Sequence, residues 1–177
     1  MEPGARRPAL VIVDLQARFA ASDAAVHELA GRVGAFVDAH RDRYAFVAAT
    51  QFRNHPESSY WRLVDHEMTT DEEVALLVPI ASRADLVTET AAYSKFTDEL
   101  RERIAAAGVS TVHVCGIDTD QCVLATVFDV FDVGLTPVVL ADLCHSTSGT
   151  VPQQSGLIAL RRAVGEERVV ASDRVFG

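Results

Sequence analysis

No apolar run in this 177-residue chain approaches the ~18 residues needed to cross a bilayer. Arg6 and Arg7 precede an apolar stretch, but it stops at Asp14, too short for the core of a secretory signal. Basic charge is also scarce. The formal net charge is −9, which argues against nucleic acid or an anionic membrane as the main partner. The three cysteines are an odd number without paired spacing, which argues against a disulfide framework. No C-x-x-C occurs, which argues against a dithiol redox catalyst. The expected setting is reducing cytoplasm. Repeats, low-complexity tracts and linkers are missing as well, so residues 1–177 are expected to form a single domain.

The residues present make an ordinary globular balance, 49% hydrophobic and 23% charged, with enough apolar mass for a core. Short β-rich runs alternate with helical stretches. "ALVIV" (Ala9 to Val13) is a continuous apolar run of the buried-strand type. Ser22 or Asp23 can cap a helix whose apolar positions Val26, Leu29, Val33 and Phe36 fall at helical spacing. Tyr44 to Thr50 reads as a second strand, followed by the polar loop "QFRNHPESSY", and "ADLVTE" reads as a third. Thr97 can cap a helix that carries Asp98 and Glu99 in its first turn and Gly108 just past its end. "STVHVCG", "LTPVVLA" and "RVVAS" complete six strands, and Pro152 and Gly165 bracket the last helix. Repeated βα units imply a doubly wound α/β fold: a mainly parallel six-stranded sheet with helices on both faces. Residues 51–83 fit this pattern least well.

In an open parallel sheet, ligands bind beyond the carboxyl ends of the strands. Asp14 ends the first run, Gln51 follows the second, Lys95 comes shortly after the third, and Cys122 opens the helix after the fourth. A carboxylate, an ammonium and a thiol at strand ends are the parts of an activated cysteine nucleophile. A free thiol titrates near 8.5, lower at a helix N-terminus or beside a cation. Asp14 could take the thiol proton and pass it to a leaving amine, and helix-start amides could hold an oxyanion. Taken one at a time, the same residues have plainer readings. Free cysteine is usually a small buried hydrophobe, a strand-end Asp is commonly a turn residue, and a lone Lys is commonly solvated. Cys115 reads as core, and Cys144 as structural at the pocket edge.

The stretches "VIVDLQARF", "YSKF" and "GIDTDQCVLAT", in that order, resemble the isochorismatase-like cysteine hydrolases, a family that includes nicotinamidases and carbamoyl-amide hydrolases. The resemblance runs over nearly the whole chain and implies the isochorismatase-like, Rossmann-type version of the fold. It also implies an Asp-Lys-Cys catalytic triad, with Asp14 as general base, Lys95 as supporting cation and Cys122 as nucleophile. A cis peptide between Ile117 and Asp118 would turn the Asp118 N–H toward the oxyanion shared with the Cys122 N–H. By motif position, Gln16, Phe19, Gln51 and Tyr93 are substrate-wall candidates.

Metal-dependent nicotinamidases carry "TQDWHP"-like residues after the second strand, whereas this chain has "TQFRNHP". Phe52 and Asn54 stand where a carboxylate and a His would be. His55 and His66 alone would make a poor metal site, so no metal and no organic cofactor are expected. The isochorismatase branch proper usually lacks the cysteine. The resemblance therefore implies hydrolysis of a C–N bond in a small amide or carbamoyl compound, and a homo-oligomer, dimeric or larger. Two other readings stay open: a binding or scaffold protein that has lost turnover, and a redox sensor in which Cys122 forms a sulfenic acid.

Overall fold

A computed structural model of the chain describes residues 6–64 and 66–176. Among these, six strands form one sheet: β1 (Ala9–Val13), β2 (Phe46–Phe52), β3 (Leu86–Thr90), β4 (Thr111–Ile117), β5 (Thr136–His145) and β6 (Val169–Val170). Their order is β3-β2-β1-β4-β5-β6 and every neighbouring pair is parallel. A parallel sheet is covered on both faces, and β1 accordingly has five apolar residues all buried. The order reverses between β1 and β4, so the crevice beyond their carboxyl ends is where a ligand can enter.

Local signals in the sequence account for the main helices. The Asp23 carboxylate accepts the Ala25 N–H at 2.9 Å and starts α2 (Ala24–His40), so of the two candidate caps it is Asp23 that serves. Thr97 caps α6 (Asp98–Ala106) through the Leu100 N–H. The final long helix, Thr150–Val164, ends at Gly165, whose φ of 97° suits a residue without a Cβ. Between α2 and α6 the structure is richer than the periodicity suggested. The short α1 (Ala17–Ser22) precedes α2; α3 (Ser59–Val64) starts at the end of the stretch that reads as a polar loop, and α4 (Asp71–Val74) and α5 (Val78–Ala81) fill the rest of the segment that fits the pattern least well. Each is too short to display an apolar period. The helix after β4 also differs. Residues Thr119–Val123 form a π-helical turn before α7 (Leu124–Asp132), so Cys122 lies in a widened first turn. With α7 so defined, Thr150–Val164 is α8. No helix among the described residues is long and apolar enough to cross a membrane.

The close approach of β1 and β4 depends on Gly116. Its φ is 117°, and a Cβ there would stand 2.7 Å from the Val13 nitrogen and 2.9 Å from its carbonyl carbon. Those atoms are backbone and cannot swing aside. Gly116→Ala should destabilise the fold by about 2–5 kcal/mol, combining overpacking with an unfavourable φ. Urea melts check this, and a cost below about 0.5 kcal/mol would contradict the tight approach.

At the amino end of the sheet the buried His113 ring shares a 2.9 Å hydrogen bond from Nδ1 to the Tyr44 hydroxyl. Burial lowers the His113 pKa from 6.5 to about 4. The unfolded chain therefore binds this proton more readily than the folded one. The stabilising contribution is complete above about pH 6.5 and fades as pH falls toward 4. Between pH 7 and 4.5, wild type should lose roughly 2–3 kcal/mol more than His113→Gln, a difference read from denaturant melts at the two pH values.

Candidate active site

Three chain segments meet at the switch point. Asp14 directly follows β1, has a φ of 53°, and is 1% exposed. Lys95 lies between β3 and α6 and is fully buried, its Nζ 3.0 Å from Asp14 Oδ2. The Thr50 hydroxyl donates to Asp14 Oδ1 at 2.7 Å, which leaves Oδ2 to the ammonium. Nζ also donates to the Ala92 carbonyl at 2.8 Å and stands 4.6 Å from the centre of the Phe52 ring. Such a pair survives burial because each charge has its counter-ion and further polar partners. Cys122 reaches the same carboxyl with its thiol. Thr126 joins the segments: its hydroxyl accepts the Lys95 N–H at 2.9 Å and donates to the Cys122 carbonyl at 2.6 Å.

The electrostatics run against the lowering that a helix start and a cation would give a thiol. Burial and the Asp14 carboxylate both push the Cys122 thiol up, and Lys95 opposes them without prevailing. Burial likewise raises Asp14 against the pull of Lys95, Thr50 and Cys122. The physical reason is that a thiolate facing a carboxylate would put two negative charges beside one ammonium in a site largely shut off from water. A protonated thiol beside the carboxylate avoids that excess of negative charge, and the protonation of Asp14 and Cys122 is coupled. Cys115 and Cys144 are buried, and burial raises both thiols.

Over this centre lies a cavity of about 270 Å³, with Asp14, Ile117, Asp118 and Cys122 at its base. The rings of Phe19, Phe52, Tyr60 and His66 line it, together with Ser22, Gln121, Thr147 and Ser148. The Ile117–Asp118 peptide is cis. The Asp118 side chain accepts the Thr147 N–H at 2.7 Å and its hydroxyl at 3.0 Å, which ties the β5–α8 connection to the π-helical turn.

Of the four wall candidates, Phe19 lines this cavity. Tyr93 lies in the adjoining groove with Leu124 and Phe128, its ring 5.0 Å from that of Tyr60. Gln16 is fully buried outside the cavity wall, donating to the Phe52 and Val74 carbonyls and accepting the Phe52 N–H. Gln51 also donates to the Val74 carbonyl at 2.7 Å, away from the wall. Nothing in the sequence marks Tyr60, and His66 reads there as a loop histidine and a poor metal ligand. Both sit in the irregular 53–83 segment, where no periodic signal indicates which side faces a pocket.

A model of the isochorismatase domain matches residues 8–168. The chain belongs to the isochorismatase family. Isochorismatase domain-containing protein 2 of Xenopus laevis is 33% identical over 87 residues, a match that spans 48% of this chain and 40% of that protein. An isochorismatase-like hydrolase from Alkaliphilus metalliredigens superposes with a TM-score of 0.82 at 16% identity, covering 96% of this chain and 97% of its own. N-carbamoylsarcosine amidase from Thermoplasma acidophilum gives 0.80 at 23% identity, with 97% and 99% coverage. At such identities the structural likeness speaks for the shared fold.

Within this isochorismatase domain, the positions that would hold a metal in the nicotinamidase-like pattern serve other ends. Phe52 puts a ring in the cavity wall and beneath Lys95. Asn54 is buried, its amide nitrogen donating to the His66 carbonyl and its oxygen accepting the Met68 N–H. His55 is exposed beside Glu57, outside the cavity wall. Among the described residues no three His, Cys, Asp or Glu side chains are grouped to hold an ion, and these residues do not fit one.

Proposed function

We propose that this isochorismatase-family hydrolase is a cysteine amidohydrolase that cleaves the C–N bond of a small amide or carbamoyl compound. The observation that carries the reading is the buried Asp14–Lys95 pair at 3.0 Å with the Cys122 thiol against it at the base of a cavity. As Cys122 Sγ attacks the carbonyl carbon, its proton passes to Asp14, so no free thiolate has to persist in the dry site. The resulting oxyanion is held by the backbone N–H groups of Asp118 and Cys122 at the helix start. The C–N bond then breaks, Asp14 protonates the leaving nitrogen, and ammonia or an amine departs from a thioester. Water attacks the thioester as it gives a proton to Asp14; the C–S bond then breaks, Asp14 returns that proton to the sulfur, and the acid leaves. Lys95 favours the carboxylate form of Asp14 between these transfers, against the effect of burial.

An ammonia-release screen over small carboxamides and carbamoyl compounds, with Cys122→Ala as control, tests the reading. Release that disappears in the control is the expected result. Release that persists at wild-type rate in Cys122→Ala, or no release from any compound, would sink it. Because Phe52 and Asn54 are committed elsewhere, activity should also survive dialysis against a chelator within about twofold. Loss of activity on dialysis that is restored by zinc or iron would overturn that expectation.

A further inference from the structure

From the charge inventory of the cavity, we infer that the substrate is an uncharged amide, with no carboxylate, phosphate or ammonium, whose acyl group lodges among Phe19, Phe52, Tyr60 and His66. The inference rests on the hydrolase reading and narrows it. Among the described residues, every ionisable group on the wall is already partnered or neutral. The Asp14 carboxylate is taken by Lys95 and Thr50, and that of Asp118 by both donors of Thr147. Lys95 faces Asp14, the Ala92 carbonyl and the Phe52 ring, and does not line the cavity. No arginine or lysine lines it among the described residues.

Among the described residues, His66 is the one basic side chain on the wall. Burial and the nearby Arg18 charge hold its ring on the neutral side, while Arg18 itself is exposed on α1 and outside the wall. An anionic substrate would therefore leave water without a counter-ion and meet two carboxylates. A cationic one would find both carboxylates engaged and would lie near the Lys95 ammonium. Desolvating an ion with no partner is costly, whereas an uncharged acyl group loses little.

The four rings supply what such a group needs. Phe19 and His66 are nearly parallel, 5° apart with centroids at 6.5 Å, and Tyr60 meets Phe52 edge-on at 5.0 Å. They give the cavity an aromatic lining for the acyl group, while the amide end lies at Asp14, Asp118 and Cys122.

Two measurements separate this inference from the hydrolase reading. The first is the rate of Cys122 alkylation by iodoacetamide and by iodoacetate, located by peptide mapping, which needs no turnover. The neutral-to-anionic rate ratio at Cys122 should exceed that of an unstructured cysteine peptide by about tenfold or more. Ser22→Lys, which places a cation on the exposed rim, should narrow it by about threefold. The second is ammonia release from three size-matched probes: butyramide, succinamate and 4-aminobutyramide. Butyramide should lead both charged probes by about tenfold or more in kcat/KM. An alkylation ratio equal to the peptide's, or either charged probe cleaved as fast as butyramide, overturns the uncharged-substrate inference and leaves cysteine hydrolysis standing. A high alkylation ratio with no ammonia from these probes or from the wider screen overturns the hydrolase reading and leaves the cavity's selectivity in place.

Discussion

Asp14→Asn should cut turnover by about 10³-fold while speeding alkylation of Cys122 at neutral pH. The two effects run in opposite directions for one reason. The carboxylate is the proton acceptor that attack requires, and its negative charge is also a force keeping the thiol protonated. An amide of the same shape removes both roles and leaves Lys95 facing the sulfur. Mass-spectrometric mapping of iodoacetamide labelling from pH 5 to 9 gives the second readout. In wild type, Cys122 should still label ahead of the buried Cys115 and Cys144, with a rate that climbs toward alkaline pH. Turnover within a few-fold of wild type would remove Asp14 from the mechanism. Slower labelling in the variant would mean that the carboxylate does not hold the thiol up.

The second large effect concerns Lys95. Lys95→Met strands a carboxylate that is 1% exposed, so the fold should lose about 3–5 kcal/mol and turnover should fall by about 10²-fold or more. The double variant Asp14→Asn/Lys95→Met replaces both charges with neutral groups of similar shape. It should recover most of that stability without recovering activity, because a buried pair removed whole costs far less than a pair broken. Denaturant melts of the four proteins give the coupling. Single-variant costs that simply add in the double variant would contradict the pairing.

How far the sequence alone reaches can be judged residue by residue. The strands were legible because burial on both faces writes continuous apolar runs such as Ala9 to Val13, and parallel pairing left the strand ends as the place for chemistry. Asp14, Lys95 and Cys122 could be picked out because each follows a strand closely. Other features were illegible for specific reasons. Asp enters the left-handed region more readily than most side chains, but no local rule says that Asp14 is the one that does so. The state of the Cys122 thiol turns on burial, which the sequence does not display, so the cation and helix terminus looked decisive when burial and the facing carboxylate outweigh them. Gln16 and Gln51 were drawn to the wall by motif position. Their amides are instead taken up by backbone carbonyls and an N–H, partners that only a fold can supply.

Those amides bear on how such a molecule could change over evolutionary time. Gln16 and Gln51 reach the Val74 carbonyl, Arg53 holds Asp71 and the Thr69 carbonyl, and Asn54 holds the backbone at His66 and Met68. The stretch between Asn54 and α5 is thus attached by four side chains that precede it in the chain, and it brings Tyr60 and His66 to the cavity without supplying Asp14, Lys95 or Cys122. It has the character of an exchangeable cassette. Insertions or replacements inside it could redraw the recognised acyl group while the anchors kept its frame in register. Selection could then explore new substrates at little risk to the bond-breaking apparatus beneath.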